Sequence, residues 1–290
     1  MATPQATCEY KKVKDCSIKA DIFLPAARNP AVVLYFHGGA LISGSRKYLS
    51  NYQAKRLTQA GLAVVSIDYR LAPETMLEAI LTDIQDAIAW VKTTGADRFG
   101  WDSDRIAAMG GSAGGYLSLM TGTFAIKPKA IVSFYGYGDI LGEWYTRPSE
   151  FYCQNEMISK EAAEASVGGR EKSVGRNGRY TYYFYCRQQG IWPTAVSGYQ
   201  LDIDQKKLLM FSPIHHITAD YPPVLFLHGD QDTDVPYEQS VLMAAALESN
   251  GIENRLITVK GAGHGFDGDR KNPEVRLIFE DVVKFLQGHL

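Results

Sequence analysis

Short apolar runs recur along the chain, and stretches of helical period fill the spaces between them. AVVLYFH (31–37), LAVVSIDYR (62–70), RIAAMG (105–110), AIVSFYG (130–136), PVLFLHG (223–229) and NRLITV (254–259) are apolar and rich in Val and Ile, as strands buried on both faces must be. Residues 7–24 alternate instead, which predicts an antiparallel hairpin at one edge, turned at Lys14-Asp15. Between the strands, Leu77, Ile80, Leu81, Ile84, Ile88 and Val91 share one helical face, so 76–93 reads as an amphipathic helix with Asp83 and Asp86 on a solvated side. Further helices are expected over 113–123, 235–250 and 273–287, the last opening with Pro273. Strands alternating with helices define an α/β architecture with a mostly parallel sheet.

One region breaks the rhythm. From about 138 to 215 no buried strand is evident, and SVGGREKSVGRNGRY (166–180) mixes glycine with basic residues, a composition that resists a single packed conformation. RYTYYFYCRQQGIW follows at once, and its aromatic density requires burial. The expectation is a single domain, 1–290, carrying a cap insertion at about 138–215 whose tyrosines and Trp192 lie over the sheet edge and wall a pocket.

Composition narrows the classes. The 290 residues are 46% hydrophobic and 21% charged with a formal net charge of −2, ordinary globular values without the basic clusters that nucleic acid or anionic membranes require. No signal-peptide pattern or membrane-length apolar run is seen, so a cytoplasmic protein is expected. Cys8, Cys16, Cys153 and Cys186 have no metal-type spacing and read as free thiols.

The stretch AAMGGSAGGYL (107–117) places glycines where a helix should begin, although each weakens a helix by about 1 kcal/mol relative to alanine. A tight strand-to-helix turn explains them, because a serine held there needs small neighbours: Gly110, Ser112 and Gly114 form G-x-S-x-G. The Walker and dinucleotide spacings are absent, so the turn presents a nucleophile rather than a phosphate cradle.

A nucleophilic serine requires a base and a group that orients it. His264, flanked by glycines just past the strand 254–259, can reach a serine; His215, His216, His228 and His289 read as surface, cap, backbone-satisfying or terminal residues. Asp230, Asp232 and Asp234 compete for the acid role past strand 223–229, with Glu238 behind them. The three aspartates also imitate the start of a calcium loop, but Val235 and Val241 stand where that loop needs glycine and glutamate. After strand 31–37, His37-Gly38-Gly39-Ala40 offers backbone N–H groups that, with Ala113, could face a developing oxyanion.

HGGA at 37, DYRLAPE at 68–74, GGSAGG at 110–115, HGDQDTDVP at 228 and GHGF at 263 together resemble, in order and over nearly the whole chain, the hormone-sensitive-lipase-like esterase branch of the α/β-hydrolases. The resemblance implies an α/β-hydrolase fold with Ser112 as nucleophile, Asp232 as triad acid, His264 as base, and Gly38, Gly39 and Ala113 as the oxyanion hole. Two departures stand out: Ala40 replaces the last glycine of the usual HGGG, and the acid motif is closer to the form shared with serine peptidases. The implied activity is hydrolysis of small carboxylic esters through a seryl acyl-enzyme. No metal or organic cofactor is needed, and the expected partner is a small-molecule ester, with a homodimer left open. The alternatives are an amide-cleaving relative, such as a formamidase or small-peptide hydrolase, and a non-catalytic ligand receptor on the same fold.

Overall fold

The computed structural model describes residues 3–269 and 272–290. Eight strands form one sheet in the order β1-β2-β4-β3-β5-β6-β7-β8. They are β1 (Ala6–Val13), β2 (Cys16–Phe23), β3 (Val32–Phe36), β4 (Ala63–Ile67), β5 (Ile106–Gly111), β6 (Ala130–Phe134), β7 (Val224–Gly229) and β8 (Asn254–Val259). The expected hairpin is there: β1 and β2 pair antiparallel, β2 runs antiparallel to β4, and the remaining pairs are parallel. Cys16 faces Val13 and Cys8 faces Ala20 across that hairpin, so the two thiols do not oppose each other, and all four cysteines are free.

The helices that cover the sheet are α1 (Asn51–Gln59), α2 (Leu77–Trp90), α3 (Ala96–Phe99) and α4 (Ala113–Thr121) in the first half of the chain. The inserted segment carries α5 (Glu143–Thr146), α6 (Glu150–Cys153), α7 (Lys160–Ala165), α8 (Tyr180–Gln189), α9 (Trp192–Ser197) and α10 (Gln205–Leu209), and α11 (Glu238–Ser249) and α12 (Pro273–His289) follow. Alternate residues of each strand feed opposite cores. Leu34 and Phe36 of β3 pack with Ile80, Ile84, Leu117 and Leu247 on one face, while Val33 and Tyr35 pack with Leu57, Phe279 and Val282 on the other. Among the described residues no helix is long and apolar enough to cross a membrane.

Two local expectations need correction. Asp83 is fully buried, held by the Arg70 guanidinium at 2.8 and 2.9 Å and by Lys11 at 2.6 Å; only Asp86 keeps a half-exposed carboxylate, also on Lys11. A helix face that looks polar in sequence is buried here because cations from β1 and from the loop after β4 neutralise it. Likewise 166–180 is tied down rather than loose. Arg179 is buried and donates to the carbonyls of Ile42 and Ala72 and to the Glu74 carboxylate, while Gly175 bridges to Gly44. The four charge-assisted bonds of Arg179 offset the entropy that glycine brings.

Candidate active site

The parallel strands β3, β5, β7 and β8 all release their loops at one edge of the sheet, and those loops carry the His37–Ala40 segment, Ser112, Asp232 and His264. The strand-to-helix turn is as tight as its glycines demand. Ser112 sits between β5 and α4 at φ 57°, ψ −124°, a strained backbone for a non-glycine residue. Its N–H donates to the Phe134 carbonyl at 2.9 Å, fixing the turn to the end of β6. A Cβ on Gly114 would lie 2.0 Å from the Phe36 carbonyl oxygen, and one on Gly110 would lie 2.5 Å from the same atom, so only glycine lets β3, β5 and α4 converge here. Ala113 opens α4, so its N–H has no partner within the helix.

The loop after β3 approaches the same point. A Cβ on Gly38 would meet the Gly111 carbonyl at 2.9 Å, and Gly39, at φ 114°, has the Ser43 carbonyl 2.2 Å from its own missing Cβ. Ala40 adopts φ 57°, so the position that departs from HGGG still takes a left-handed conformation. His37 beneath is fully buried, stacks on Tyr69 at 4.1 Å and accepts the Tyr69 hydroxyl on its carbonyl at 2.7 Å. Burial drives the His37 imidazole down to about 4, against a weaker upward pull from the Gly38 carbonyl, so it stays neutral. The DYRLAPE segment thereby acquires a structural meaning. Asp68 receives Arg46, Tyr69 supports His37, Arg70 meets Asp83, and Glu74 meets Arg179.

Of the competing carboxylates, Asp232 is the one that reaches the histidine in hydrogen-bond geometry: its Oδ2 lies 2.7 Å from His264 Nδ1. Its Oδ1 accepts the N–H groups of Asp234 and Val235, each at 2.9 Å. Asp230 instead accepts the Gly261 N–H at 2.7 Å, bracing the turn after β8, and Glu238 begins α11. His228 is buried behind Asp232, with Nε2 3.0 Å from the Val235 carbonyl and 3.3 Å from Asp232 Oδ2, and Nδ1 2.8 Å from Ser240 Oγ. It does more than satisfy backbone. Burial pushes the Asp232 carboxyl up, but the bonds from His228 and His264 outweigh that and hold it well below the usual carboxylate range. For His264 burial lowers the pKa, yet the Asp232 bond and the charges of Asp234, Asp232 and Asp267 raise it above the ordinary value.

Ser112, His264, Gly38 and Gly39 line one cavity of about 570 Å³, within the range of small-molecule sites. Tyr180 and Tyr183 of α8 form part of its wall. The rest of the aromatic stretch divides. Phe184 remains 40% exposed, whereas Trp192 is fully buried against Tyr145 at 4.1 Å and donates to the Ala40 carbonyl at 3.1 Å. His216 and His289 each face a carbonyl of their own segment. Two residues that the sequence did not single out belong to the site: Tyr135 completes the wall, its ring 4.7 Å from that of His264 and its hydroxyl donating to Asp267, and Arg187, behind the wall, reaches Asp234 from the insertion at 2.7 Å. His228 alone left a signal, four residues before Asp232 at the end of a buried strand.

A parallel sheet with an antiparallel edge, a glycine-walled serine turn after β5, and an aspartate-bound histidine after β8 define an α/β-hydrolase. The chain belongs to the BD-FAE family, whose profile matches residues 20–166, and residues 179–290 match the prolyl oligopeptidase family. The second match covers the acid motif that looked peptidase-like. Esterase LipC of Mycobacterium tuberculosis is 31% identical over 86% of this chain, which spans 57% of that protein. The non-reducing polyketide synthase adrD of Penicillium roqueforti is 26% identical over 99% of the chain, but the chain spans only 14% of it. Among solved structures, a Staphylococcus aureus protein of unknown function superposes with a TM-score of 0.82 at 24% identity, over 98% of this chain and 99% of that one. A thermophilic esterase from Thermogutta terrifontis, solved with propionate bound, gives 0.68 at 26% identity, over 98% and 93%.

Proposed function

We propose that the protein hydrolyses small carboxylic esters through a seryl acyl-enzyme. The observation that carries this reading is the 2.7 Å pair of Asp232 and His264 opening onto the same cavity as the strained Ser112. Ser112 Oγ attacks the ester carbonyl carbon as His264 Nε2 takes its proton, and the carbonyl electron pair moves onto oxygen. The N–H groups of Gly38, Gly39 and Ala113 meet that oxyanion, each such donor being worth about 3 kcal/mol. Collapse expels the alcohol oxygen, which receives the proton from Nε2. Water then attacks the acyl-enzyme, delivers its proton to Nε2, and the second collapse returns it to Ser112 Oγ. Asp232 holds the ring by Nδ1 and stabilises the imidazolium throughout.

The esterase names of two relatives support this class, and the propionate in the Thermogutta terrifontis enzyme agrees with a short acyl group. The prolyl oligopeptidase match over 179–290 favours amide cleavage as the second reading, with the same residues in the same roles. A panel of chromogenic esters and amides separates the two. Esters are expected to turn over with amides far slower, and Ser112→Ala to reduce ester turnover by about 10⁶ while melting like the wild type. Preferential amide cleavage would select the second reading, and undiminished activity in Ser112→Ala would overturn both.

A further inference from the structure

Asp234 lines the cavity, yet the serine mechanism gives it no task. Its Oδ1 is committed, accepting the Tyr183 hydroxyl at 2.6 Å and the Arg187 guanidinium at 2.7 Å. Arg187 is itself buried in the insertion among the rings of Tyr145 and Tyr152, each 4.9 Å away, and also donates to the Asp234 carbonyl at 2.9 Å. The carboxylate is therefore clamped from behind. Its other oxygen, Oδ2, stands 3.6 Å from His264 Nε2, and both residues line the cavity; the gap is too long for a hydrogen bond to the ring.

That nitrogen hands its proton to the departing alcohol, so the leaving oxygen must come within about 3 Å of Nε2. A carboxylate oxygen that close to the same nitrogen is then within reach of the first carbons of the alcohol. We infer that Asp234 is a specificity-determining residue on the leaving-group side, accepting a hydrogen bond from a hydroxyl or ammonium on the alcohol and rejecting alcohols that carry a carboxylate. Asp267, held by Tyr135 and Gln53, adds a second acid to the wall, and Lys47 also lines the cavity. The inference rests on the esterase reading above.

Three acetate esters test it: propyl, 2-hydroxyethyl and carboxymethyl. The first two alcohols match in shape, and intrinsic leaving-group reactivity is the same for wild type and variant, so a ratio that changes on substitution cannot come from it. In the wild type, kcat/KM is expected to be about tenfold higher for the hydroxyethyl than for the propyl ester, and about tenfold lower for the carboxymethyl ester, the scale of a hydrogen bond to a charged group. In Asp234→Asn both ratios should shrink to about twofold. The ratios are internal to each variant and do not depend on how much of it is active. If Asp234→Asn fails to fold with Arg187 left unpaired, Asp234→Asn/Arg187→Gln removes both charges and the same ratios are read. Ratios unchanged by substitution, or a wild type that treats the three esters alike, would overturn the inference alone. Absence of any acetate hydrolysis, or its survival in Ser112→Ala, would overturn the esterase reading instead.

Discussion

His264 meets carboxylates on two sides, Asp232 at Nδ1 and Asp234 near Nε2, and both favour the imidazolium. Burial opposes them, but the net effect raises its pKa above the ordinary imidazole value, near 6.5. A raised pKa keeps the ring protonated to higher pH, and a protonated ring cannot accept the Ser112 proton. The acid limb of kcat/KM against pH should therefore have its midpoint above about 6.5, and Asp234→Asn should move it down. A wild-type limb at or below the ordinary value would show that burial dominates. The neighbouring aspartates separate by the same geometry. Asp232→Asn should lower kcat by about 10⁴ by leaving His264 in the wrong tautomer. Asp230→Asn, which touches the bond to the Gly261 N–H and an exposed ion pair with Lys260, should keep kcat within about threefold and show its effect in thermal melting. Equal losses in the two variants would contradict the assignment of the acid.

At the scale of elements, the turn between β5 and α4 is where backbone geometry and chemistry are least separable. Gly114→Ala would push a methyl against the Phe36 and His37 carbonyls, 2.0 and 2.8 Å from the added carbon. Backbone of a central strand cannot yield cheaply, so a loss of about 3 kcal/mol or more is expected from overpacking. Gly288→Ala, near the end of α12 with nothing within 4 Å of the added carbon, should be neutral or stabilising by up to about 1 kcal/mol. Calorimetric melting of the two variants checks both signs.

These elements also show what the sequence could reveal. The parallel strands were legible because burial on both faces leaves runs such as VVLYF in β3, and the serine turn because its glycines have no other reason to be there. Asp232 and His264 came into view as candidates through order along the chain and motif resemblance, since spacing alone did not choose among Asp230, Asp232 and Asp234. The short helices of the insertion, and the buried Asp83, Arg179 and Arg187, were illegible for one reason: each depends on partners dozens of residues away, such as Asp83 on Lys11 and Arg187 on Asp234.

For the whole molecule, residues of the insertion and of the sheet edge line one cavity. The cavity wall mixes Tyr48, Tyr180 and Tyr183 with Gln53, Asp234 and Asp267, so it offers long alkyl chains little apolar surface. A fully apolar pocket would gain about 0.8 kcal/mol, roughly fourfold in binding, for each added methylene. Here kcat/KM is expected to be highest for acetyl or butyryl esters and to decline through octanoyl to palmitoyl, with Tyr180→Ala and Tyr183→Ala widening the range accepted. A steady rise to palmitoyl would contradict a small, polar acyl site.

The central claim is that Ser112 becomes covalently acylated, and mass spectrometry tests it most directly. Intact protein treated with an organophosphonate ester probe should gain one adduct, with loss of esterase activity in proportion, and peptide mapping should place the adduct on Ser112. Ser112→Ala should remain unmodified under the same conditions. A stoichiometric adduct on another residue that abolishes activity, or full activity retained with Ser112 modified, would contradict the mechanism.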